Sequence, residues 1–224
     1  MSIHLYPELE QGSDEWLSAR CGIVTASAVG KLLTAGLKVA DNETSRGLTL
    51  TLTAERITGY VDPTWVSADM ERGSEEEPLA REHYAEHYAP VEEIGFMVND
   101  DFGFPIGYSP DGLVGTDGLI EIKSRRQKTQ VSTFLVDEVP AANMAQLQCG
   151  LLVSGRKWID YCSYAGGMPM YVRRVLPDPA WQGAILAAVA TFEERSAEIV
   201  AAYTVATDGL PLTERTPDYA GIEF

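Results

Sequence analysis

The stretch Ser109-Pro-Asp-Gly-Leu-Val-Gly-Thr-Asp-Gly-Leu-Ile-Glu-Ile-Lys123 decides the fold of this chain. Its end alternates apolar and polar residues, as a β-strand does. Side chains two residues apart share one face of a strand. We therefore predict that Glu121 and Lys123 point to one side of the strand and that Ile120 and Ile122 pack on the other.

Two carboxylates and one ammonium group meet at this strand. Asp111 follows a proline and precedes a glycine, a turn-prone context that brings its carboxylate beside Glu121. Carboxylate oxygens suit Mg²⁺ or Mn²⁺. Lys123 beside such an ion would orient a nucleophile or stabilise charge on phosphoryl oxygens, which indicates phosphodiester cleavage. The alternative is a hairpin turn with a solvated ion pair, because Asp-Gly and Glu-x-Lys are both common.

The N-terminal region predicts an anion site. Ser13 is expected to cap one helix and Gly22 to end it, and Thr25 or Ser27 then caps the next helix. A helix N-terminus that carries hydroxyl groups, with Arg20 nearby, favours the binding of an anion. The alternative is a pair of ordinary capped helices with a surface arginine.

Four blocks of sequence together resemble the lambda-exonuclease-type (YqaJ-like viral recombinase) branch of the PD-(D/E)xK nucleases. In chain order they are QGSDEWLSARCGIVTAS from Gln11, Gly73-Ser-Glu-Glu-Glu-Pro-Leu-Ala-Arg81, SPDG…EIK, and Met144-Ala-Gln-Leu-Gln148. Four blocks in one order are far more specific than any single one. The resemblance implies an α/β (α+β), restriction-endonuclease-like core with a central mixed sheet flanked by helices.

The resemblance also implies roles at the central strand. Asp111 and Glu121 match the family's metal-binding carboxylates, with the carbonyl of Ile122 as a further ligand. Lys123 matches the catalytic lysine. The implied cofactor is Mg²⁺, with Mn²⁺ as the alternative.

Further roles fall outside that strand. Glu77 matches an acidic residue on a helix over the site, and Gln146 matches an active-site glutamine. Arg20, Ser27 and Ser109 match the family's pocket for the DNA 5′-phosphate.

Several of these positions also have ordinary structural interpretations. Glu77 ends a run of three glutamates in an acidic helix, so its register can slip by one or the helix can simply be solvated. Gln146 and Gln148 fit exposed positions of an amphipathic helix, and Ser109 fits a turn. Asn143 stands where close relatives often have tyrosine, so no role is assigned to it.

Composition fits one nuclease domain over residues 1–224 with an irregular tail from about 208, because 45% of residues are hydrophobic and no linker divides the chain. The net charge of −16 is unusual for a DNA-binding protein. An acidic protein can still bind DNA if its basic residues are concentrated in groups near the site. Two such groups are Lys123, Arg125, Arg126 and Lys128 after the central strand, and Lys31, Lys38 and Arg46 after the anion pocket.

The sequence shows no secretory signal and no apolar stretch long enough for a membrane span. Cys21, Cys149 and Cys162 are widely spaced and odd in number, which argues against a disulfide framework or a zinc site. We expect a reducing cytoplasm, in a bacterial or phage-encoded setting.

Periodicity predicts the secondary structure. Helices are expected over residues 13–19, 26–34, 43–58, 68–88, 128–136, 140–153 and 178–204. Strands are expected over residues 91–98, 105–108, 113–115, 118–124, 158–163 and 170–175.

The functional hypothesis is a Mg²⁺-dependent 5′→3′ exonuclease that acts on ends of linear double-stranded DNA and leaves a 3′ single strand for phage-type recombination. The resemblance implies a homo-oligomer, a ring-shaped trimer, and a single-strand annealing protein as partner. Two alternatives are an endonuclease of the same superfamily and a DNA-end-binding module without activity. A Cas4-like nuclease needs a cysteine cluster, which three scattered cysteines do not supply.

Overall fold

A computed structural model describes residues 3–63 and 65–215 of the chain. The helices are α1 (Asp14–Arg20), α2 (Ala26–Val29), α3 (Glu43–Thr58), α4 (Ala68–His87), α5 (Gln127–Val136), α6 (Ala141–Ser154) and α7 (Pro179–Ala206), with a 3₁₀ turn at Gly30–Leu32. The strands are β1 (Ile3–Tyr6), β2 (Val24–Thr25), β3 (Phe96–Asn99), β4 (Ile106–Tyr108), β5 (Gly112–Val114), β6 (Gly118–Ser124), β7 (Trp158–Tyr164) and β8 (Tyr171–Val175). None of these helices is long and apolar enough to cross a lipid bilayer.

The strands form two four-stranded mixed sheets, in the orders β1-β3-β4-β2 and β5-β6-β7-β8. One pair in each sheet is parallel, β2 with β4 and β6 with β7, and the other pairs are antiparallel. The chain passes from the first sheet to the second between Tyr108 and Gly112, so Ser109 and Asp111 lie at the joint. The predicted α/β architecture is confirmed, with its mixed sheet divided in two.

Helices cover the second sheet on both faces. On one face, Ile120 and Ile122 of β6 belong to a buried apolar cluster with Tyr84 of α4. Leu119 of the same strand belongs to the larger core cluster with Leu147 of α6 and with apolar side chains of α7. Because β6 lies in the middle of the core, a charged side chain on it is stable only if it is paired.

Local capping explains why some predicted bounds are accurate. The helix α3 has the expected ends because Asn42 and Ser45 form a capping box at its start. Gly59 ends it in the left-handed conformation, with φ of +63°. Ser13 caps α1 as predicted, by accepting a hydrogen bond from the Trp16 amide.

Other expected bounds are wrong in length. The helix predicted over 26–34 stops at Val29 and continues as the 3₁₀ turn, which begins at Gly30, a poor helix former. The strand predicted over 91–98 begins only at Phe96, because Glu92 makes an isolated bridge with Leu113 instead.

The sequence predicts the irregular C-terminal tail better than the short strands near the N-terminus. The sequence pattern does not predict β1 or β2, since β2 has two residues and β1 lies at a sheet edge. Residues 207–215 form no helix or strand, as expected for the tail, and its remainder lies outside the described residues. A single domain over residues 1–224 stays a prediction.

A buried charged network joins α4 to the second sheet. The hydroxyl of Tyr84 donates a hydrogen bond of 2.7 Å to Asp160, which is 3% exposed. Arg174 donates two further hydrogen bonds, of 2.8 and 2.9 Å, to the same carboxylate. Asp160 is buried and depends on both donors, so the loss of the Tyr84 hydroxyl leaves a buried carboxylate with fewer hydrogen bonds.

We predict that Tyr84→Phe lowers the free energy of unfolding by about 1.5–3 kcal/mol, the usual contribution of a hydrogen bond to a charged group. Urea denaturation measures it. Tyr88→Phe is the matched control, because it makes the same change one turn later on a side chain that is 52% exposed. The control is expected to cost less than about 0.5 kcal/mol. Equal losses in the two variants would contradict the network.

Candidate active site

The predicted alternation along β6 places two charged groups on one side. The Nζ atom of Lys123 lies 2.7 Å from Oε1 of Glu121. Ile120 and Ile122 are buried on the opposite face. Asp111 approaches from the joint between the sheets, and its Oδ2 accepts a hydrogen bond of 2.6 Å from the backbone amide of Ile122.

Glu121 is held from several directions. Its side chain is 1% exposed, and Lys123 and Gln146 both donate to Oε1. The hydroxyl of Tyr108 donates to Oε2 at 3.3 Å. These bonds fix the rotamer of a carboxylate that is buried in the core, and they bring α6 and β4 to the same point as β6.

Glu77 reaches the site from α4. It pairs with Arg81, one turn further along the helix. Arg81 also donates a hydrogen bond of 2.7 Å to the carbonyl of Asp111 and pairs with Glu93 at 2.7 Å. Glu76 instead accepts a hydrogen bond of 2.5 Å from Ser124. Among the three consecutive glutamates, Glu77 is thus the one that lines the cavity with Asp111.

Negative charge is in excess here. Burial, reinforced by Glu121 and Glu77, raises the pKa of Asp111 well above its usual range. Burial also raises the pKa of Glu77, against the opposing effect of Arg81. Burial acts against the charged form of Lys123, but the carboxylates of Glu121 and Asp111 outweigh it and raise the pKa of that lysine. The ammonium group is therefore charged at neutral pH.

These donors fit a hard divalent cation. Mg²⁺ is usually held by one or two carboxylates together with water and substrate phosphate, not by a complete protein cage. Within residues 3–63 and 65–215 no group of three or more His, Cys, Asp or Glu side chains forms such a cage. Asp111 and Glu121 supply two carboxylates of this kind in one cavity, so their oxygens fit a divalent cation.

The predicted anion pocket is built around Thr25 on the N-terminal segment. The guanidinium of Arg20 lies 3.7 Å from the centre of the Trp16 ring and donates to Oγ1 of Thr25 at 3.3 Å. Oγ of Ser27 is 3.2 Å from the same Thr25 atom. The indole of Trp16 donates to Ser109 at 3.0 Å. Thr25 occupies the N-cap position of α2 without a capping bond, so its hydroxyl serves the pocket instead.

Burial lowers the pKa of Arg20 to about 10, with Glu55 opposing the shift. The guanidinium therefore remains charged at neutral pH, but it is poorly solvated, because much of its surroundings is protein. A partly desolvated cation binds an anion more strongly than a fully hydrated one.

The turn after α1 is clamped by α3 and α7. The amide of Gly22 donates to Glu55 at 2.8 Å, and its carbonyl accepts from Nε of Arg56 at 2.7 Å. Arg56 also donates to both oxygens of Glu193, at 2.6 and 2.7 Å. Gly22 has φ of +68°, and a Cβ there would lie 2.3 Å from Cγ of Arg56. The clamp holds the turn that directly follows α1 and its last residue, Arg20.

The carboxylates and the anion pocket share one cavity of about 360 Å³. All the sequence-predicted site residues line it: Arg20, Ser27, Glu77, Ser109, Asp111, Glu121, Ile122, Lys123 and Gln146. The structure thus brings together segments that are far apart in the chain, from α1 to α6.

Sequence reasoning misses several contributors to this cavity. Trp16 and Tyr108 line it, and the spacing of Trp16 and Arg20 by four residues on a helix is the one signal that points to their contact. No local pattern predicts a role for Tyr108, whose hydroxyl contributes to the site by its hydrogen bond to Glu121. Asn143, to which no role is assigned, accepts a hydrogen bond of 2.9 Å from Arg125.

Two mixed sheets flanked by helices, with Asp111, Glu121 and Lys123 in one cavity, define a nuclease fold of the PD-(D/E)xK class. The family model of the YqaJ-like viral recombinase domain matches residues 15–157. The chain belongs to this family. No curated protein matches this chain.

Solved structures agree with this assignment. The alkaline exonuclease LHK-Exo from Laribacter hongkongensis is 30% identical to the chain, with a TM-score of 0.74 over 87% of this chain and 100% of that one. LHK-Exo in complex with dAMP is also 30% identical, with a TM-score of 0.79 over 89% of this chain and 100% of that one.

A phage related exonuclease from Haemophilus somnus is 11% identical, with a TM-score of 0.61 over 81% of this chain and 96% of that one, a likeness of fold alone. The family and the LHK-Exo structures together support a nuclease function for this chain.

We predict that Gly22→Ala destabilises the protein more than Gly59→Ala does. Both glycines adopt the left-handed backbone conformation, at φ of +68° and +63°. An alanine in that conformation costs roughly 1–2 kcal/mol, so both variants lose that much stability. Only Gly22 faces close atoms, while nothing lies within 4 Å of a Cβ at Gly59. The excess cost of overpacking should be at least about 1 kcal/mol.

Chemical denaturation of the two variants under identical conditions measures this difference. An equal free energy of unfolding for both would mean that Arg56 moves aside without cost and does not clamp the turn.

Proposed function

We propose that this protein is a Mg²⁺-dependent exonuclease that digests one strand of linear double-stranded DNA from its 5′ end and leaves a 3′ single strand. The observation that carries the proposal is the single cavity, in which a carboxylate–lysine group and a separate anion pocket lie side by side. A nuclease that cuts only at ends needs both parts, because one part performs the chemistry and the other recognises the end.

Asp111 and Glu121, with the carbonyl of Ile122, would hold the metal ion, with Mn²⁺ as the alternative to Mg²⁺. A divalent ion so bound lowers the pKa of a water molecule and neutralises charge on the scissile phosphate. Tyr108 and Gln146 keep the carboxylate of Glu121 in place through their hydrogen bonds. Preorganised ligands of this kind do not have to be reoriented during the reaction.

Lys123 acts on the reacting groups. Its ammonium group stays charged, because the carboxylates of Glu121 and Asp111 favour the protonated form. It would orient the attacking water or stabilise the negative charge that builds up on the phosphoryl oxygens. Glu77, held by Arg81, lies over the same cavity and completes its acidic wall.

Arg20, Ser27 and Ser109 would bind the 5′-phosphate. A terminal phosphate carries more charge and offers more free oxygens than an internal phosphodiester. The guanidinium and the hydroxyl groups recognise both properties through charge-assisted hydrogen bonds. Because the pocket and the carboxylates line one cavity, a bound 5′ end would bring a nearby phosphodiester to the reactive groups.

The resemblance to the family further supports a ring-shaped homotrimer around the duplex and a single-strand annealing protein as partner in phage-type recombination. Mass determination in solution tests the first of these, and co-purification with a candidate annealing protein tests the second.

The deciding experiment follows end-labelled linear duplex with a 5′-phosphate in the presence of Mg²⁺. Early loss of the 5′ label as mononucleotide, while the 3′ label stays on strands that become progressively shorter, is the expected result. Circular duplex should stay uncut, and cleavage of the circle would favour an endonuclease. An absence of cleavage in Mg²⁺ and in Mn²⁺, with binding retained, would leave only the end-binding module.

We predict that Lys123→Ala lowers turnover by about 10²–10³-fold, the usual loss when one group that stabilises transition-state charge is removed. Metal binding should persist, because the lysine is not a ligand. Asp111→Asn should abolish both turnover and tight metal binding. Single-turnover cleavage and calorimetric titration with Mn²⁺ measure the two effects.

Lys157→Ala is the control for that experiment, because it removes the same charge from a side chain that is 72% exposed and pairs with Asp117 at the surface. Turnover by Lys123→Ala close to that of the control would show that the lysine has no part in the chemistry.

We predict that Arg20→Ala erases most of the preference for 5′-phosphorylated over 5′-hydroxyl ends. Loss of a hydrogen bond to a charged group costs about 1.5–3 kcal/mol, or roughly tenfold to a hundredfold in relative rate. The measurement is the ratio of rates on the two substrates at one salt concentration. Arg195→Ala is the control, since its side chain is 38% exposed and lies 3.7 Å from Asp41.

An equal slowing of both substrates by Arg20→Ala, with the preference intact, would make this arginine a general backbone contact. The proposed end-recognition pocket would then be wrong, even if the protein is a nuclease.

A further inference from the structure

A second groove, of about 460 Å³, lies next to the active-site cavity. Its walls carry four cationic side chains, those of Arg72, Arg125, Arg126 and Lys128, and a single carboxylate, that of Glu76. Such a concentration of positive charge stands out in a chain with 33 acidic and 17 basic residues.

Residues that line the cavity are bonded directly to residues that line the groove. Ser124 lines the cavity, accepts a hydrogen bond of 3.0 Å from Arg72 and donates one of 2.5 Å to Glu76, and both partners line the groove. Asp69 lines the cavity as well, and it pairs with Arg72 at 2.6 Å and with Arg126 at 2.8 Å. The groove is therefore a continuation of the active site past Ser124 and Asp69.

The cations of the groove are incompletely neutralised. Arg72 and Arg126 share the carboxylate of Asp69, and Glu76 lies 3.9 Å from Arg72 as a second counter-ion, so two carboxylates face the four cations. Lys128 is exposed and makes no ion pair with the residues that the structure describes. Arg125 is fixed by Asn143 at 2.9 Å and Tyr161 at 3.2 Å, and its buried Nε has no hydrogen-bond partner among the described residues.

The arrangement of these cations along the groove indicates a polyanion as the ligand. A single terminal phosphate needs one guanidinium and a few hydroxyl groups, which the Arg20 pocket already supplies. Four cations spread along a groove suit successive phosphates of one chain instead. No side chain caps the start of α5 at Arg126, so its first amide groups add to the positive potential.

We propose that this groove binds backbone phosphates of the DNA that lies 3′ to the cut, while the Arg20 pocket holds the 5′ end. The inference rests on the proposed function. Asp69 serves as an internal counter-ion: it neutralises Arg72 and Arg126 in the free protein, and DNA phosphates take its place on them when the substrate binds.

The first test uses the double variant Arg126→Gln/Lys128→Gln and a control with the same loss of charge, Lys157→Gln/Arg195→Gln, whose side chains pair with Asp117 and Asp41 at the surface. Fluorescence anisotropy in EDTA gives Kd for a long 5′-phosphorylated duplex over a range of salt concentrations, and gels verify that the DNA stays uncut. Each lost phosphate contact lowers the slope of log Kd against log salt by about 0.9.

For the groove variant we expect Kd to rise roughly tenfold or more and the slope to fall by about two relative to the control. A 5′-phosphorylated trinucleotide, too short to fill the groove, should bind the groove variant and the control alike. A groove variant that binds long duplex with the affinity and salt slope of the control would overturn the proposal.

The second test uses a substitution that should tighten DNA binding instead of weakening it. Asp69→Asn frees two arginines and should tighten binding of the long duplex more than Asp117→Asn, which removes the same charge beside Lys157. Tighter binding cannot result from misfolding. No difference between these two variants would overturn the role of Asp69 as counter-ion.

The outcomes separate this inference from the proposed function. Wild-type protein that binds long duplex through the groove but never cuts it in Mg²⁺ would sustain the groove and refute the exonuclease. If the protein digests 5′ ends but its groove variant binds DNA like the control, the exonuclease stands and the groove proposal is refuted.

Discussion

The hydrogen bond from the Ile122 amide to the carboxylate of Asp111, at 2.6 Å, connects the joint between the two sheets to the central strand. In the β5–β6 register Gly112 lies opposite Ile120, so continuation of the ladder would bring Pro110 opposite Ile122. Proline cannot donate a ladder hydrogen bond, and β5 begins only after it. The ladder therefore stops before Pro110, and the Ile122 amide donates to the Asp111 carboxylate instead of to a strand carbonyl, which brings this carboxylate to Glu121.

Placing charge on the middle strand of a core has a cost that the surrounding groups only partly offset. Glu121 is satisfied by three donors, yet burial and neighbouring carboxylates still raise the pKa of Asp111 and of Glu77. Unbalanced carboxylates in a cleft are typical of sites that are built for a ligand and not for stability. The apolar face formed by Ile120 and Ile122 supplies the packing that tolerates this cost.

Much of the fold and of the candidate site follows from local sequence. The alternation along β6 sets the direction of Glu121 and Lys123, and capping at Asn42 and Gly59 fixes both ends of α3. These features depend on neighbours within a few residues. Features that depend on distant partners do not follow: the division of the sheet in two, the clamp of Arg56 on Gly22 with Glu193, and the hydroxyl of Tyr108 on Glu121. Their partners meet only after the chain has folded, so no local pattern encodes them.

The net charge of −16 is compatible with a DNA substrate because charge acts locally in salt solution. At physiological ionic strength the Debye length is about 8 Å, so a phosphate chiefly senses the cations that it touches. Arg20 and the groove cations lie in or beside the cavity, whereas most acidic residues lie elsewhere on the surface. An enzyme that removes one nucleotide after another has to shift its grip on the DNA after every cut. Under the proposed function, a few strong contacts beside the reactive groups, within an otherwise repulsive surface, would hold the end of the strand without trapping the protein along the duplex.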